Sequence, residues 1–292
     1  MAEPSPPLDK VLNFRDVGKT VNLYLGERRV REGVIFRSAR PDDATPRDKT
    51  IIRDQLAIRT VIDLRTKRKR VTPRAMARNL PRPAAPRPST PRIKGIEYKE
   101  IKITGRSFEK HLMSQLSCKV IVLYIVGYRI DAVRIIGQEV LLARGLVGLG
   151  TDTLDHSGAE IREALLLYGS SQSVPVLVHC TQGKDRTGTF PFSCEALFGI
   201  VCALLLMILE VPAPAIEHDY FLTDAALVSE REERIAEIRN IGLTDEWFNT
   251  AEDMITGMEK HLAQTYGGLD AYLDGIGFSE QDRARLREKL LY

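Results

Sequence analysis

The spacing of apolar and polar residues places most of the elements. Val30 to Ser38 (VREGVIFRS) mixes apolar and charged positions as a half-buried strand does. Pro41 to Pro46 (PDDATP) is turn chemistry, and Asp43 to Gln55 suits a short helix. Thr60 to Leu64 (TVIDL) is β-branched and bounded by charge, the signature of a buried strand. Ile96 to Ile103 can form another strand. Phe108 to Leu146 is mainly helical, with Gly105, Gly127 and Gly145 as punctuation. Gly158 to Tyr168 reads as a helix with Ile161, Leu165 and Leu166 on one face. Val174 to Val178 is a short apolar strand that ends at His179-Cys180. The longest apolar run, Ala196 to Leu209, is shorter than the ~20 residues of a membrane span and reads as a buried core helix. The last hundred residues are helical segments broken at Pro212, Pro214, Gly242, Gly267-Gly268 and Gly275-Ile276-Gly277. Strands that alternate with helices predict an α/β fold, a central and mostly parallel sheet flanked by helices, with a helical C-terminal part.

Composition narrows this only a little. The 292 residues, 43% hydrophobic and 28% charged, are those of an ordinary globular protein and exclude collagen-like, wholly disordered and disulfide-scaffold classes. The expected organisation is a loose Pro-rich stretch over 1–10 and one domain over 11–292. A net charge of +3 gives no reason to expect a nucleic-acid partner. The charge is uneven, however: ten Lys/Arg and no acid lie between Thr66 and Lys94, among six prolines. So many prolines fit neither a helix nor a central strand, so 66–94 is expected to be an exposed loop. Its plain reading is a solvated insertion, since charge runs often mark disorder. Its functional reading is a clamp for acidic partners or a peripheral contact with anionic membrane. Cysteines at 118, 180, 194 and 202 are too few and too scattered for a disulfide framework or a zinc site. They suit a reducing, cytoplasmic compartment. The N-terminus has no charged-then-apolar signal pattern. Neither a metal nor a cofactor is expected.

The chemistry lies in Val176-Leu-Val-His-Cys-Thr-Gln-Gly-Lys-Asp-Arg-Thr-Gly188. A strand delivers Cys180, five residues follow, then Arg186, then an apolar helix. A short loop of this kind can turn the N–H groups of Thr181, Gln182, Gly183, Lys184, Asp185 and Arg186 inward, and with the helix N-terminus they form an anion cradle. Gly183 allows a close turn. Arg186 can grip two oxygens. The same N–H groups and dipole favour the Cys180 thiolate beneath them, a nucleophile at neutral pH. This is the geometry of phosphate-ester cleavage through a phosphocysteine, with transition-state charge held by Arg186 and the loop amides. Thr187 can support the thiolate as leaving group in the second step. His179 is expected to pack below the loop and brace it rather than to act as a base. The alternative for Cys180 is an inert thiol buried at a strand end, which would need no such context.

At these residues the chain resembles the cysteine-dependent protein tyrosine phosphatases, with their His-Cys-x5-Arg-Ser/Thr signature. The fuller string, His179 to Gly188, is similar to the branch of bacterial and fungal tyrosine/serine phosphatases. Asn13-Phe-Arg-Asp-Val-Gly18, Gly33-Val-Ile-Phe-Arg-Ser-Ala39, Val61-Ile-Asp-Leu-Arg65, His218-Asp-Tyr220 and Gly267 to Leu273 extend the resemblance from about residue 11 to the C-terminus. It implies a protein-tyrosine-phosphatase-like fold, with Cys180 as nucleophile and Arg186 as phosphate ligand. It further implies an aspartate that protonates the leaving oxygen. Asp63, at a strand end, is the first choice; its alternative is a strand-end cap or a salt bridge with Arg65. Asp185, inside the loop as in the myotubularin and Sac-type phosphoinositide phosphatases, is the second. Asp152 and Asp155 are third. Asn13, Arg15, Asp16 and Arg37 read as mostly structural. The implied substrates are phosphotyrosine, phosphoserine/threonine or phosphoinositides, and Lys184 adds positive charge suited to a multiply phosphorylated head group.

Two departures stand out. Thr189 to Gly199 intervenes between the loop and the aliphatic helix, about three turns of extra chain if helical. The basic segment, beginning Thr66-Lys-Arg-Lys69, stands where relatives often carry a glutamate. Three readings follow: a protein phosphatase, a phosphoinositide phosphatase on the same fold, and a phosphate-binding module disabled by the insertion. A rhodanese-like sulfur transferase also has a loop cysteine, but Lys184-Asp185-Arg186-Thr187 fits phosphate better.

Overall fold

Among the described residues five short strands make one sheet in the order β1-β2-β5-β3-β4. They are β1 (Arg15–Asp16), β2 (Ile35–Ser38), β3 (Thr60–Asp63), β4 (Glu97–Glu100) and β5 (Val176–His179). Only β1 runs antiparallel to its neighbour; β2, β5, β3 and β4 are mutually parallel, as the alternation of strands and helices predicts. The computed structural model describes residues 8–65, 92–116, 134–135, 137–180, 194–240 and 242–292.

Strand lengths follow local chemistry. β2 is shorter than the run Val30 to Ser38 because Gly33, at φ 75°, turns the chain, and Val30 bridges to Leu291 instead. β5 begins at Val176, since Pro175 has no N–H to give to a ladder. β4 occupies four residues of Ile96 to Ile103 and lies at the sheet edge. Its Glu97, Lys99 and Glu100 suit an edge that must not pair with another chain.

The two faces are covered unequally. Phe36, Val61 and Leu177 meet Val11, Ile52, Ile58, Ile93 and Ile96 on the thinner side. That side carries α2 (Pro46–Thr50), which runs into a π-helical turn, Ile51–Gln55. The α2 N-terminus is a capping box: Thr45 Oγ1 accepts the Asp48 N–H, and Asp48 accepts the Thr45 N–H. Asp48 also accepts the N–H groups of Asp9 and Lys10, so the described end of the stretch expected to be loose is tied down.

On the other face Ile35, Ile62, Leu64, Val176, Val178 and Cys180 join the main core. That core takes residues from α1 (Val17–Leu25), α3 (Arg106–Ser114), α4 (Leu142–His156), α5 (Gly158–Tyr168), α6 (Cys194–Ile208) and α7 (Ala213–Ala226). The later helices α8 (Arg231–Asn240), α9 (Met254–His261), α10 (Leu269–Gly275) and α11 (Glu280–Leu290) form the expected helical C-terminal part. α5 matches its sequence expectation end to end. A π-helical turn, Gly137–Leu141, leads into α4, which kinks at Gly145 (φ 66°). α6 is the predicted core helix, with Ile200 to Leu206 buried throughout. A fully buried leucine contributes about 1.5–3 kcal/mol. The described helix runs from Cys194, so the later part of the 189–199 departure is helical; 189–193 lie outside the described residues. Of the basic segment only 92–94 are described, and Cys118 and Gly127 also lie outside.

The motif Asn13 to Gly18 explains itself residue by residue. Asn13 adopts φ 54°, and its side-chain oxygen accepts from Arg15. Asp16 caps α1 by accepting the Lys19 N–H at 3.2 Å and the Gly33 N–H at 2.5 Å. Arg15 reaches Asp219 on α7 at 2.7 Å, and Arg37 on β2 reaches the other oxygen of the same carboxylate at 2.5 Å. Burial raises the Asp219 pKa, but the Arg15 and Arg37 charges outweigh it and hold the group at about 2.

Gly18 lies against the backbone of Arg31, whose carbonyl oxygen would stand 2.4 Å from an added Cβ. Gly18→Ala therefore forces α1 away from the Arg31 strand entry and is expected to cost about 1–3 kcal/mol in urea unfolding. Gly275→Ala, where a Cβ meets nothing within 4 Å, is the control and should be neutral or slightly stabilising. Equal stability of the two variants would show that the Gly18 contact does not constrain the fold.

Candidate active site

β5 fixes Cys180. This strand is hydrogen-bonded on both sides, with Ser38 of β2 and Asp63 of β3 both in register with His179. The ladder extends one step further, where the Leu64 N–H donates to the His179 carbonyl at 3.0 Å. Cys180 is the next residue and is buried at 3% exposure. Four parallel strands thus end together around it, at the carboxyl edge where open α/β sheets place their sites.

Strand alternation sorts the neighbours of Cys180 by face. Val176, Val178 and Cys180 belong to the main core, as do Ile62 and Leu64. His179 and Asp63 are the intervening residues and point to the thinner side. There the His179 Nε2 stands 3.9 Å from an Asp63 oxygen, and its Nδ1 lies 3.4 Å from the Cys180 carbonyl. Burial lowers the His179 pKa more than the Asp63 charge raises it, so the imidazole is neutral at pH 7.

Asp63 is engaged. Arg65 donates to it through Nε at 2.8 Å and through an Nη at 2.6 Å, and the Arg65 backbone N–H donates at 3.0 Å. Arg65 also donates to Asp42 at 2.7 Å. Burial pushes the Asp63 pKa up, but the Arg65 hydrogen bonds and charge bring it below the ordinary value. The salt bridge that the sequence left open for Asp63 is therefore present, and the carboxylate is ionised. Asp42, which completes this fork, was missed by sequence reasoning; PDDATP signals only a turn.

The third-choice aspartates are also committed. Asp152 on α4 is buried, accepts from Arg144 at 3.0 Å and lies 3.3 Å from His111. Asp155 accepts from the Tyr266 hydroxyl at 2.6 Å and pairs with His261 at 2.7 Å. Thr181, Gln182, Gly183, Lys184, Asp185, Arg186 and Thr187 lie outside the described residues. Among the described residues no group of His, Cys, Asp and Glu is arranged to hold a metal ion, and no helix is long and apolar enough to cross a membrane.

Comparison with known proteins adds two findings. Residues 6–292 match the sequence model of a family described as the tyrosine phosphatase family. A curated tyrosine-protein phosphatase of Nostoc commune is 28% identical over 146 residues, 47% of this chain and 46% of that protein. The chain thus aligns with about half the length of that relative.

The Asp63–Arg65 fork has a testable pH signature. Because its folded pKa is depressed, Asp63 contributes stability that is fully present above the ordinary carboxylate pKa of ~4 and is lost as pH falls through the depressed value. In Arg65→Met burial is left to dominate, and the Asp63 pKa should rise above that of the wild type. Carbon-13 NMR titration of the Asp63 carboxyl reads this directly. An unchanged midpoint would mean that Arg65 does not control the group.

Proposed function

The chain belongs to the tyrosine phosphatase family, and from that premise we propose that it hydrolyses phosphate monoesters through a phosphocysteine on Cys180, with phosphotyrosine in proteins as the substrate class. The observation that carries this reading is the place of Cys180, one residue beyond a central parallel strand at the carboxyl edge of the sheet. The loop sequence supplies the rest. The N–H groups from Thr181 to Arg186 and the Arg186 guanidinium hold the phosphoryl oxygens, with Lys184 adding charge.

In the first step the Cys180 thiolate attacks phosphorus, an S–P bond forms and the P–O bond to the leaving group breaks. The leaving oxygen takes a proton from an aspartic acid. Asp63, the first choice from sequence, is ionised and held by Arg65, so this reading gives proton donation to Asp185, the second choice. In the second step water attacks phosphorus and gives its proton to the Asp185 carboxylate left by the first step, the S–P bond breaks, Thr187 supports the departing thiolate and inorganic phosphate leaves. His179 takes no proton; it braces the strand end.

A second reading, phosphoinositide hydrolysis, is favoured by one feature, the ten Lys/Arg between Thr66 and Lys94. A basic segment of this kind would draw the enzyme to anionic lipid, with a rate that falls as salt rises.

Phosphate release from a nitrophenyl phosphate across pH 5–8 tests the mechanism. Cys180→Ser should lower turnover by more than about 10³-fold, the scale on which loss of a covalent nucleophile acts. Asp185→Asn should lower turnover of phenyl phosphate, a poorer leaving group, by about 10²-fold and affect nitrophenyl phosphate much less. The opposite assignment of the acid would appear as that same leaving-group dependence in Asp63→Asn. Faster release from inositol lipids than from phosphotyrosine peptides would move the substrate to the second reading. A folded wild type with no turnover would leave a phosphate-binding module; activity gained on deleting residues 189–199 would trace this to the insertion.

A further inference from the structure

Arg15, Asp219 and Arg37 form a cluster that the proposed mechanism does not use. Its ion pairs are almost dry: side-chain exposures are 2% for Arg37, 2% for Asp219 and 11% for Arg15. Two guanidiniums share one carboxylate, so the cluster is formally cationic. Arg15 is further fixed by donating to the Asp219 carbonyl at 2.6 Å and to the Thr223 hydroxyl at 3.3 Å.

The sheet places this charge next to the nucleophile. Arg37 is in register with Val178 on the neighbouring parallel strand. Alternation gives Arg37 the face of Ile35, which is the face of Val176, Val178 and Cys180. Cys180 is two residues beyond Val178. With strands ~4.8 Å apart and a rise of ~3.3 Å per residue, the Arg37 and Cys180 Cα atoms lie on a diagonal of about 8 Å. The side chains leave the sheet on the same side, beneath α7, where Asp219 fixes the guanidinium.

We propose that the Arg15–Asp219–Arg37 cluster is a buried cationic base beneath Cys180, and that Arg37 is a positioning residue that favours the thiolate from the core side of the sheet. The proposal rests on the reading of Cys180 as nucleophile. It adds a second source of stabilisation to the loop amides, one built into β2 and α7. The Cys180 charge also helps to hold Arg37 in its charged form, and a pairwise interaction of this kind acts equally on both partners.

The Cys202 thiol also couples to Arg37, ahead of Cys180. Burial raises the Cys202 thiol on α6 and the Tyr168 hydroxyl on α5, so both remain protonated. His179 and the Asp63–Arg65 fork lie toward the opposite face. Arg37 and Asp219 are groups through which the Cys180 thiol can be moved without touching the loop.

The test follows alkylation of Cys180 by iodoacetamide against pH, with the Cys180 peptide quantified by mass spectrometry against a cysteine-free peptide of the same chain. Wild type should titrate below the ordinary thiol value of ~8.5. Arg37→Gln should raise the midpoint by about one pH unit, a ~tenfold loss of thiolate on the acid side. Arg37→Lys should restore most of it. Asp219→Asn, which leaves both guanidiniums without their carboxylate, should lower it. A merely structural role would move Gln, Lys and Asn variants in one direction, and that outcome overturns the proposal. If circular dichroism shows that Asp219→Asn does not fold, the Gln/Lys pair decides alone: equal midpoints reject the proposal. A wild-type midpoint at the ordinary value would overturn the nucleophile reading as well; a low midpoint unmoved by the variants would overturn only the role of Arg37.

Discussion

A single carboxylate holds the architecture in register. Asp219 on α7 is buried between Arg15 of β1 and Arg37 of β2. Leaving a buried charge without its partner costs about 3–5 kcal/mol, so the three residues stand or fall together. Because their charges cannot be left unmatched, α7 must lie over the β1–β2 edge in one orientation. The Asn13 turn, the Asp16 cap on α1 and the close approach of Gly18 to Arg31 then follow from presenting Arg15 correctly. Motif residues about 200 positions apart in the chain answer one electrostatic requirement.

Much of this was legible in the sequence. The β-branched run from Thr60 announces β3, the apolar run before His179 announces β5, and the period of α5 is plain. The helix from Cys194 was less so, because Pro191 and the aromatic residues near it obscure where a helix can start. The position of Cys180 also follows from sequence, since an apolar strand that ends in His-Cys can place the thiol only at a strand terminus. Partner choice is what hydrophobic pattern does not encode. It shows that Asp63 ends a strand but not that Arg65 folds back onto it and on to Asp42. Likewise Arg37 reads as a charge at a buried strand position, and only the packing of α7 reveals its counterion. The resemblance flagged His218 to Tyr220 without saying which of the three mattered.

The two sides of the sheet divide the labour. The thinner side carries the Asp63–Arg65–Asp42 fork and neutral His179, a network that fixes the strand ends. The thicker side carries Cys180 and the cationic cluster. Asp63, the first choice from sequence for the acid, stands within this network, held by Arg65. Arg37, which the sequence reads as mostly structural, lies on the side of the thiol.

The order of the strands also bears on how the molecule comes to exist. β5 is last in the chain yet central in the sheet. Until it is made, β1 can pair only with β2 and β3 only with β4, which leaves two fragments with open edges. β5 closes both at once, through contacts distant in sequence, and such closure is slow and exposes sticky edges while it waits. The strand that completes the sheet is the one that carries the thiol. A nascent or half-folded chain therefore lacks the sheet edge that presents Cys180, and that edge arrives together with the finished fold.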